Sequence, residues 1–252
     1  TDLYEKSFPF AKMEWDELTS FSKENLGINK LEKWDIVFVT EKFKKSFLKI
    51  DELELKKYFS LDKVLLGLFN ILGRLYGLSF LVNNEIDVYA KSVLVYEVYD
   101  DDENFKSLLY IDLYPRKGKR DGAWMTSYLG QKKNQRPHVS VVCNFPAPNK
   151  SNISLISFQE VTTLFHEFGH AIHGMLANTN YESLSGTSVL WDFVELPSQI
   201  MENWCYEEEA LEIFARHYKT NKSIPTSLIK KIKTSSQFQQ GIQTLRQLGL
   251  AS

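Results

Sequence analysis

The stretch from Ser157 to Asn178, SFQEVTTLFHEFGHAIHGMLAN, constrains the fold more than any other. Ser157 and Glu160 stand in the Ser-x-x-Glu order of a capping box, which starts a helix by satisfying orphaned backbone N–H groups. Beyond it Val161, Leu164, Phe168, Ala171, Ile172 and Met175 recur at helical spacing and form one apolar stripe. At about 100° per residue, His166, His170 and His173 fall on the side opposite that stripe. Such a helix can bury one face in a core while its histidines face a cleft.

Within it, His166-Glu167-Phe168-Gly169-His170 is an HExxH motif. Residues four apart lie one turn apart on one helix face, so both imidazoles can hold a single Zn²⁺. Glu167 follows the first histidine and is placed to act as general base on water rather than as a ligand. A hydrolytic zinc site needs a third protein ligand and an open position. The longer motif HExxHxxGxxH is excluded, because position 173 is His and position 176 is Leu. A later carboxylate is the other route, and Glu182, Asp192, Glu195 and Glu202 are all available. Spacing alone does not choose among them.

The rest of the chain sets the context. Its 252 residues are 43% hydrophobic, enough for a sizeable core. The formal net charge of −2 gives no electrostatic reason to expect nucleic acid or an anionic membrane as partner. Two distant cysteines, Cys143 and Cys205, make no disulfide framework and read as buried thiols of a reducing compartment, with the cytoplasm as the expected location. The most apolar run, Val64 to Val82, is interrupted by Asn70, Arg74 and three glycines, and reads as a core helix rather than a membrane span.

Helices are expected in the second half of Tyr4–Asn25, over Leu31–Ile50 and from an N-cap at Ser60 to about Leu75. Val93–Tyr99 and Leu108–Tyr114 read as strands joined by the acidic turn Asp100–Asn104. Lys117–Pro137 reads as loop, and His138–Phe145 as a third strand.

Three ordered blocks then carry a family resemblance: HEFGHAIHGML, Leu184–Thr187 (LSGT) and Asp192–Trp204 (DFVELPSQIMENW). Together they are similar to the zinc metallopeptidase family of thimet oligopeptidase, oligopeptidase A and dipeptidyl carboxypeptidase. Looser likeness extends to Tyr58–Phe69, Tyr110–Arg120 and Phe238–Leu248, covering most of the chain. Carried over by position, it implies His166, His170 and Glu195 as ligands of one Zn²⁺ and Glu167 as base. Asp192, Glu202 and His173 become candidates to orient the ligating rings, and Ser185-Gly186-Thr187 to line the cleft. As in zincins, an edge strand beside the metal helix would pair with peptide substrate, and His138–Phe145 is the natural candidate.

The expectation is therefore a mainly α fold with a small antiparallel β-sheet, a zincin-like α+β catalytic domain. It comprises a helical part (1–90), a hairpin and edge strand (91–150), and the HExxH helix, Glu-ligand helix and following helices (151–252). The function expected is zinc-dependent hydrolysis of short peptides. Family members are longer, and a C-terminal His and tyrosines stabilise their oxyanion. No counterpart is visible here, so the full-length chain's remaining parts become expected partners. The rival expectation is a zinc-binding or peptide-binding fragment without turnover.

Overall fold

The computed structural model describes residues 2–48, 51–149 and 153–251. In chain order its helices and strands are α1 (Asp2–Leu26), α2 (Ile36–Leu48), α3 (Glu52–Lys56), α4 (Leu61–Tyr76), β1 (Ser79–Val82), β2 (Leu94–Tyr99), β3 (Phe105–Asp112), β4 (Trp124–Leu129), β5 (His138–Val142), α5 (Phe158–Met175), α6 (Trp191–Val194), α7 (Leu196–Asn203), α8 (Glu208–Phe214), α9 (Thr226–Ser236) and α10 (Gln240–Ala251). They fall into two compact units, one of Thr1–Asp51 with Pro225–Ser252, the other of Glu52–Ile224.

The first unit is helical. Helix α1 begins earlier than its sequence suggests and runs through Pro9, which costs it one intrahelical hydrogen bond without ending it. The Glu14 carboxylate of α1 accepts the N–H groups of Gly241 (3.2 Å) and Ile242 (2.9 Å) in the first turn of α10. Helix α2 occupies the middle of the expected Leu31–Ile50 segment, whose last two residues lie outside the described ones.

The second unit is built on a five-stranded sheet of order β1-β2-β3-β5-β4. The β2–β3 hairpin turns at Asp100–Asn104, where Asp100 Oδ1 accepts the N–H groups of Asp102 and Asn104. β5 lies parallel to β3 and antiparallel to β4. The sheet is thus mixed, not antiparallel as expected. The chain leaves β3, forms β4 one position further out, and returns to lay β5 between them.

This order also corrects the expected edge. β5 is central: Val139, Ser140, Val141 and Val142 are all buried, the continuous burial of a strand covered on both faces. The edge is β4, inside the segment that reads as loop. Its sequence WMTSYL does carry the aromatic and β-branched content of a strand, bounded by Gly122 and Gly130. Strand β1 likewise comes from the end of the apolar run Val64–Val82. Gly77, in the left-handed conformation at φ 64°, ends α4 by returning its N–H to the Gly73 carbonyl.

Helix α5 lies against β4, β5 and α7. All six residues of its apolar stripe are buried, each large side chain among them contributing about 1.5–3 kcal/mol. Among the described residues no helix is long and apolar enough to cross a membrane. Both cysteines are buried and free.

At the end of β3, buried Asp112 takes Arg116 at 2.7 Å, Lys119 at 3.0 Å and the Tyr89 hydroxyl at 3.1 Å. Lys119 also donates to the carbonyls of Asp112, Tyr114 and Cys143, while Asn144 holds the carbonyls of Arg120 and Gly122. These bonds fasten the lead-in to β4 onto the end of β5. Burial pushes the Asp112 carboxyl up, but the bonds from Arg116 and Lys119 outweigh it and hold the carboxyl below its ordinary value. Asp112→Asn is expected to lower the unfolding free energy by about 3 kcal/mol in urea denaturation at neutral pH. Because the folded-state value is depressed, this contribution is complete above the ordinary carboxylate range. It is lost as pH falls through the folded value. The gap between wild type and variant should close in acid; an unchanged neutral-pH midpoint would show that the cluster does not hold this corner.

Candidate metal centre

Helix α5 begins with the capping box in place: Ser157 Oγ accepts the Glu160 N–H (3.2 Å) and the Glu160 carboxylate accepts the Ser157 N–H (2.6 Å). With register fixed at this end, His166 and His170 stand one turn apart, ring centroids 5.0 Å from each other. The Glu195 Oε2 atom lies 3.3 Å from His166 Nε2 and 3.2 Å from His170 Nε2. Among the described residues, these three offer ligand atoms all within 4.8 Å of one another. Asp192 and Glu182 are not in that group.

Glu195 reaches the histidines because the chain breaks there. It ends α6 and begins α7, with Pro197 in the first turn of the new helix. Ser198 Oγ lies 2.7 Å from Glu195 Oε2 and 2.9 Å from the Glu195 carbonyl, fixing the carboxylate over its own backbone. Helix α7 sits almost on the backbone of α5 at Gly169. A Cβ there would lie 2.4 Å from Ser198 Cα and 2.5 Å from the Pro197 carbonyl oxygen. No residue but glycine leaves this room.

Glu202, one further turn along α7, accepts from His166 Nδ1 at 2.6 Å. That bond fixes the tautomer with a bare Nε2 facing Glu195, the arrangement a metal-ligating imidazole needs. His173 makes no comparable contact with the ligand rings: its Nδ1 is buried without a partner and its ring meets Phe193 edge-on. The Glu202 bond raises the His166 pKa above its ordinary value, whereas burial lowers that of His170. The Ser198 hydroxyl, helped by both imidazoles, holds Glu195 below its ordinary value.

Glu167 points into the same cleft. Its residue is only 6% exposed, and the Met125 N–H of β4 lies near enough to its carboxylate to lower its pKa. Burial lifts its pKa, the Glu195 charge adds to that, and His166 and the Met125 N–H offset part of it. The cleft has a volume of about 450 Å³, bounded by the HExxH face, the start of β4 at Ala123–Met125, and Thr187, Val194 and Glu195. Strand β4 is the participant that sequence reasoning missed. Thr187 reaches this cleft, while Ser185 and Gly186 line a neighbouring cavity.

Two imidazole nitrogens and a carboxylate oxygen match the donor set of catalytic zinc sites, and the ring-orienting carboxylate strengthens the fit. Gly169→Ala is expected to wedge α7 off α5 and draw Glu195 away from the histidines. The loss in zinc affinity should reach the scale of an outer-shell mutation, about 10–100-fold by competitive titration, with helix content unchanged. Undiminished affinity would show that the close approach does not position Glu195.

The family model described as Peptidase family M3 matches residues 1–252. Oligopeptidase A of Escherichia coli strain K12 is 39% identical over 254 residues, 98% of this chain and 37% of its own length. Dipeptidyl carboxypeptidase of Salmonella typhimurium is 37% identical, covering 88% of this chain and 33% of its own. Mitochondrial intermediate peptidase of Arabidopsis thaliana is 34% identical over 89% of this chain and 33% of its own. The chain thus spans about a third of the length of these relatives. On the match along its whole length, it belongs to Peptidase family M3.

Proposed function

We propose that the protein carrying this chain is a zinc-dependent peptidase of short peptides, acting through the cleft between α5, α7 and β4. The observation that carries this reading is the convergence of His166 Nε2, His170 Nε2 and Glu195 Oε2 within 4.8 Å, with the Glu167 carboxylate in the same cleft. His166, His170 and Glu195 would hold one Zn²⁺. When bound, the ion polarises a carbonyl and lowers the pKa of water.

The chain's own residues supply the rest. Glu202 and Ser198 keep the His166 ring and the Glu195 carboxylate in place. Glu167, close to the Met125 N–H, takes a proton from the attacking water and delivers it to the leaving amine. Among the described residues no strand pairs with the outer edge of β4. An extended peptide added there would be held by main-chain hydrogen bonds and laid past Glu167. That favours unfolded peptides over folded proteins. The architecture is zincin-like in this reading, and the two buried free thiols suit a reducing compartment such as the cytoplasm.

The rival reading, a metal-binding fragment without turnover, has one observation behind it. The described residues lining the cleft include no tyrosine or arginine to stabilise a developing oxyanion. Loss of one such donor typically costs about 10²–10³ in turnover. The isolated 252-residue chain is therefore expected to bind zinc but cleave slowly.

Glu167→Gln should keep one zinc per chain and lose about 10²–10⁴ in turnover of a quenched fluorescent peptide. Loss of zinc in that variant would make Glu167 more than a base. Glu195→Ala should abolish tight zinc binding, Glu202→Ala should weaken it about 10–100-fold, and Asp192→Ala should leave it unchanged. Full zinc occupancy in Glu195→Ala would remove it from the ligand set, and chelator-insensitive cleavage by the full protein would end the zinc reading.

A further inference from the structure

We propose that the cavity next to the metal cleft selects a basic side chain of the peptide, with Glu182 as the carboxylate that receives it; this rests on the peptidase reading above. The cavity, of about 270 Å³, shares Met125 and Thr187 with the cleft, so a peptide lying along β4 reaches both. One wall is β4, the other the Ser185-Gly186-Thr187 loop. Its floor is Gly174 of α5, where a Cβ would come within 2.8 Å of Met125 Cε. Met125 Cε fills the space a side chain there would take, so Gly174 and Met125 together close that end of the cavity.

Glu182 is the one charged side chain among the described residues lining this cavity. Its stem lies over Gly130, where a Cβ would come within 2.4 Å of both Glu182 Cγ and Oε1. The carboxylate is thereby seated at the cavity, and it makes no ion pair with another described residue. The other strong acceptor is already committed. Gln131 Oε1 takes the Thr179 N–H (2.8 Å), with the hydroxyls of Thr179 (3.0 Å) and Ser185 (2.7 Å) also in range. A lysine or arginine stem would lie against β4 and Gly174 and bring its cation to Glu182, whose free charge has no competing partner in the cavity. At about 3.3 Å per residue along a strand, Met125 to Tyr128 spans about 10 Å. The selected residue therefore sits within a few positions of the cleaved bond.

The test uses the full protein, zinc-loaded and carrying Glu167→Gln so that peptides bind without turnover. Otherwise uncharged peptides, with Lys or Gln scanned through each position, are measured by calorimetry. At one position Lys should bind about three- to tenfold tighter than Gln, the range between an exposed ion pair and a charge-assisted hydrogen bond. The ratio should shrink with added salt, fall to about one on adding Glu182→Gln, and reverse in favour of a Glu peptide with Glu182→Lys. Gly130→Ala, which displaces the Glu182 stem, should also reduce it. Equal binding of Lys and Gln at every position, or a Lys preference that survives Glu182→Gln, overturns the proposal. Cleavage of the all-neutral peptide by wild type reports on the peptidase reading separately. If that cleavage occurs without a Lys preference, the basic pocket falls alone. If the Lys preference stands and nothing is cleaved, the peptidase reading falls alone.

Discussion

The site depends on one contact between backbones, where α7 lies on α5 at Gly169. Two helices whose side chains interdigitate keep their axes 8–10 Å apart. Removing the side chain at the crossing lets Ser198 and Pro197 approach the bare backbone of α5. Glu195 can then span the remaining gap to both imidazoles from the start of its own helix, and Glu202 can reach the far nitrogen of His166. The glycine inside HExxH thus brings the third carboxylate to the two histidines. Pro197 and Ser198 complete the junction, one starting the helix and the other holding the carboxylate.

A second constraint joins this helical pair to the sheet. Glu167 is buried beside β4, close to the Met125 N–H. The position of β4 is in turn fixed from below by the Asp112–Arg116–Lys119 cluster and by Asn144. Glu167 and the strand edge therefore share one reference frame. A peptide paired with that edge would meet Glu167 in a register set by the fold, which is the positioning that proton transfer requires.

Much of this was legible in the sequence, for physical reasons that differ by element. Helix α5 announces itself because its cap, stripe and histidines all obey one period, and the β2–β3 hairpin because its acidic turn separates two apolar runs. Glu195 is different. Its spacing is no better than that of Asp192 or Glu202, and only the resemblance to a family singled it out. Strand β4 was hidden because Lys, Arg, Gly and Asn crowd around it and the half-exposed WMTSYL lacks the apolar density of a buried strand. The place of β5 in the sheet was hidden for a deeper reason. A one-dimensional pattern shows that a strand is buried on both faces, but does not show which other segment covers its edge.

The electrostatics of the centre follow from the same packing. Three carboxylates, Glu167, Glu195 and Glu202, gather around two imidazoles in a partly buried space. Two of them are committed in ways that separate their roles. Glu202 spends its charge on the outer nitrogen of His166, and Glu195 lies between the inner nitrogens of both rings. Glu167 lies in the same cleft beside Met125 of β4, and burial lifts its pKa above the ordinary value. Like charges so close repel unless a cation or a proton intervenes. The fold answers this by giving each carboxylate a different partner: a ring, a pair of rings with a serine hydroxyl, and a strand backbone. In the proposed reading, that division of partners would let one carboxylate bind, one orient and one move a proton, within a single turn of α5 and two of α7.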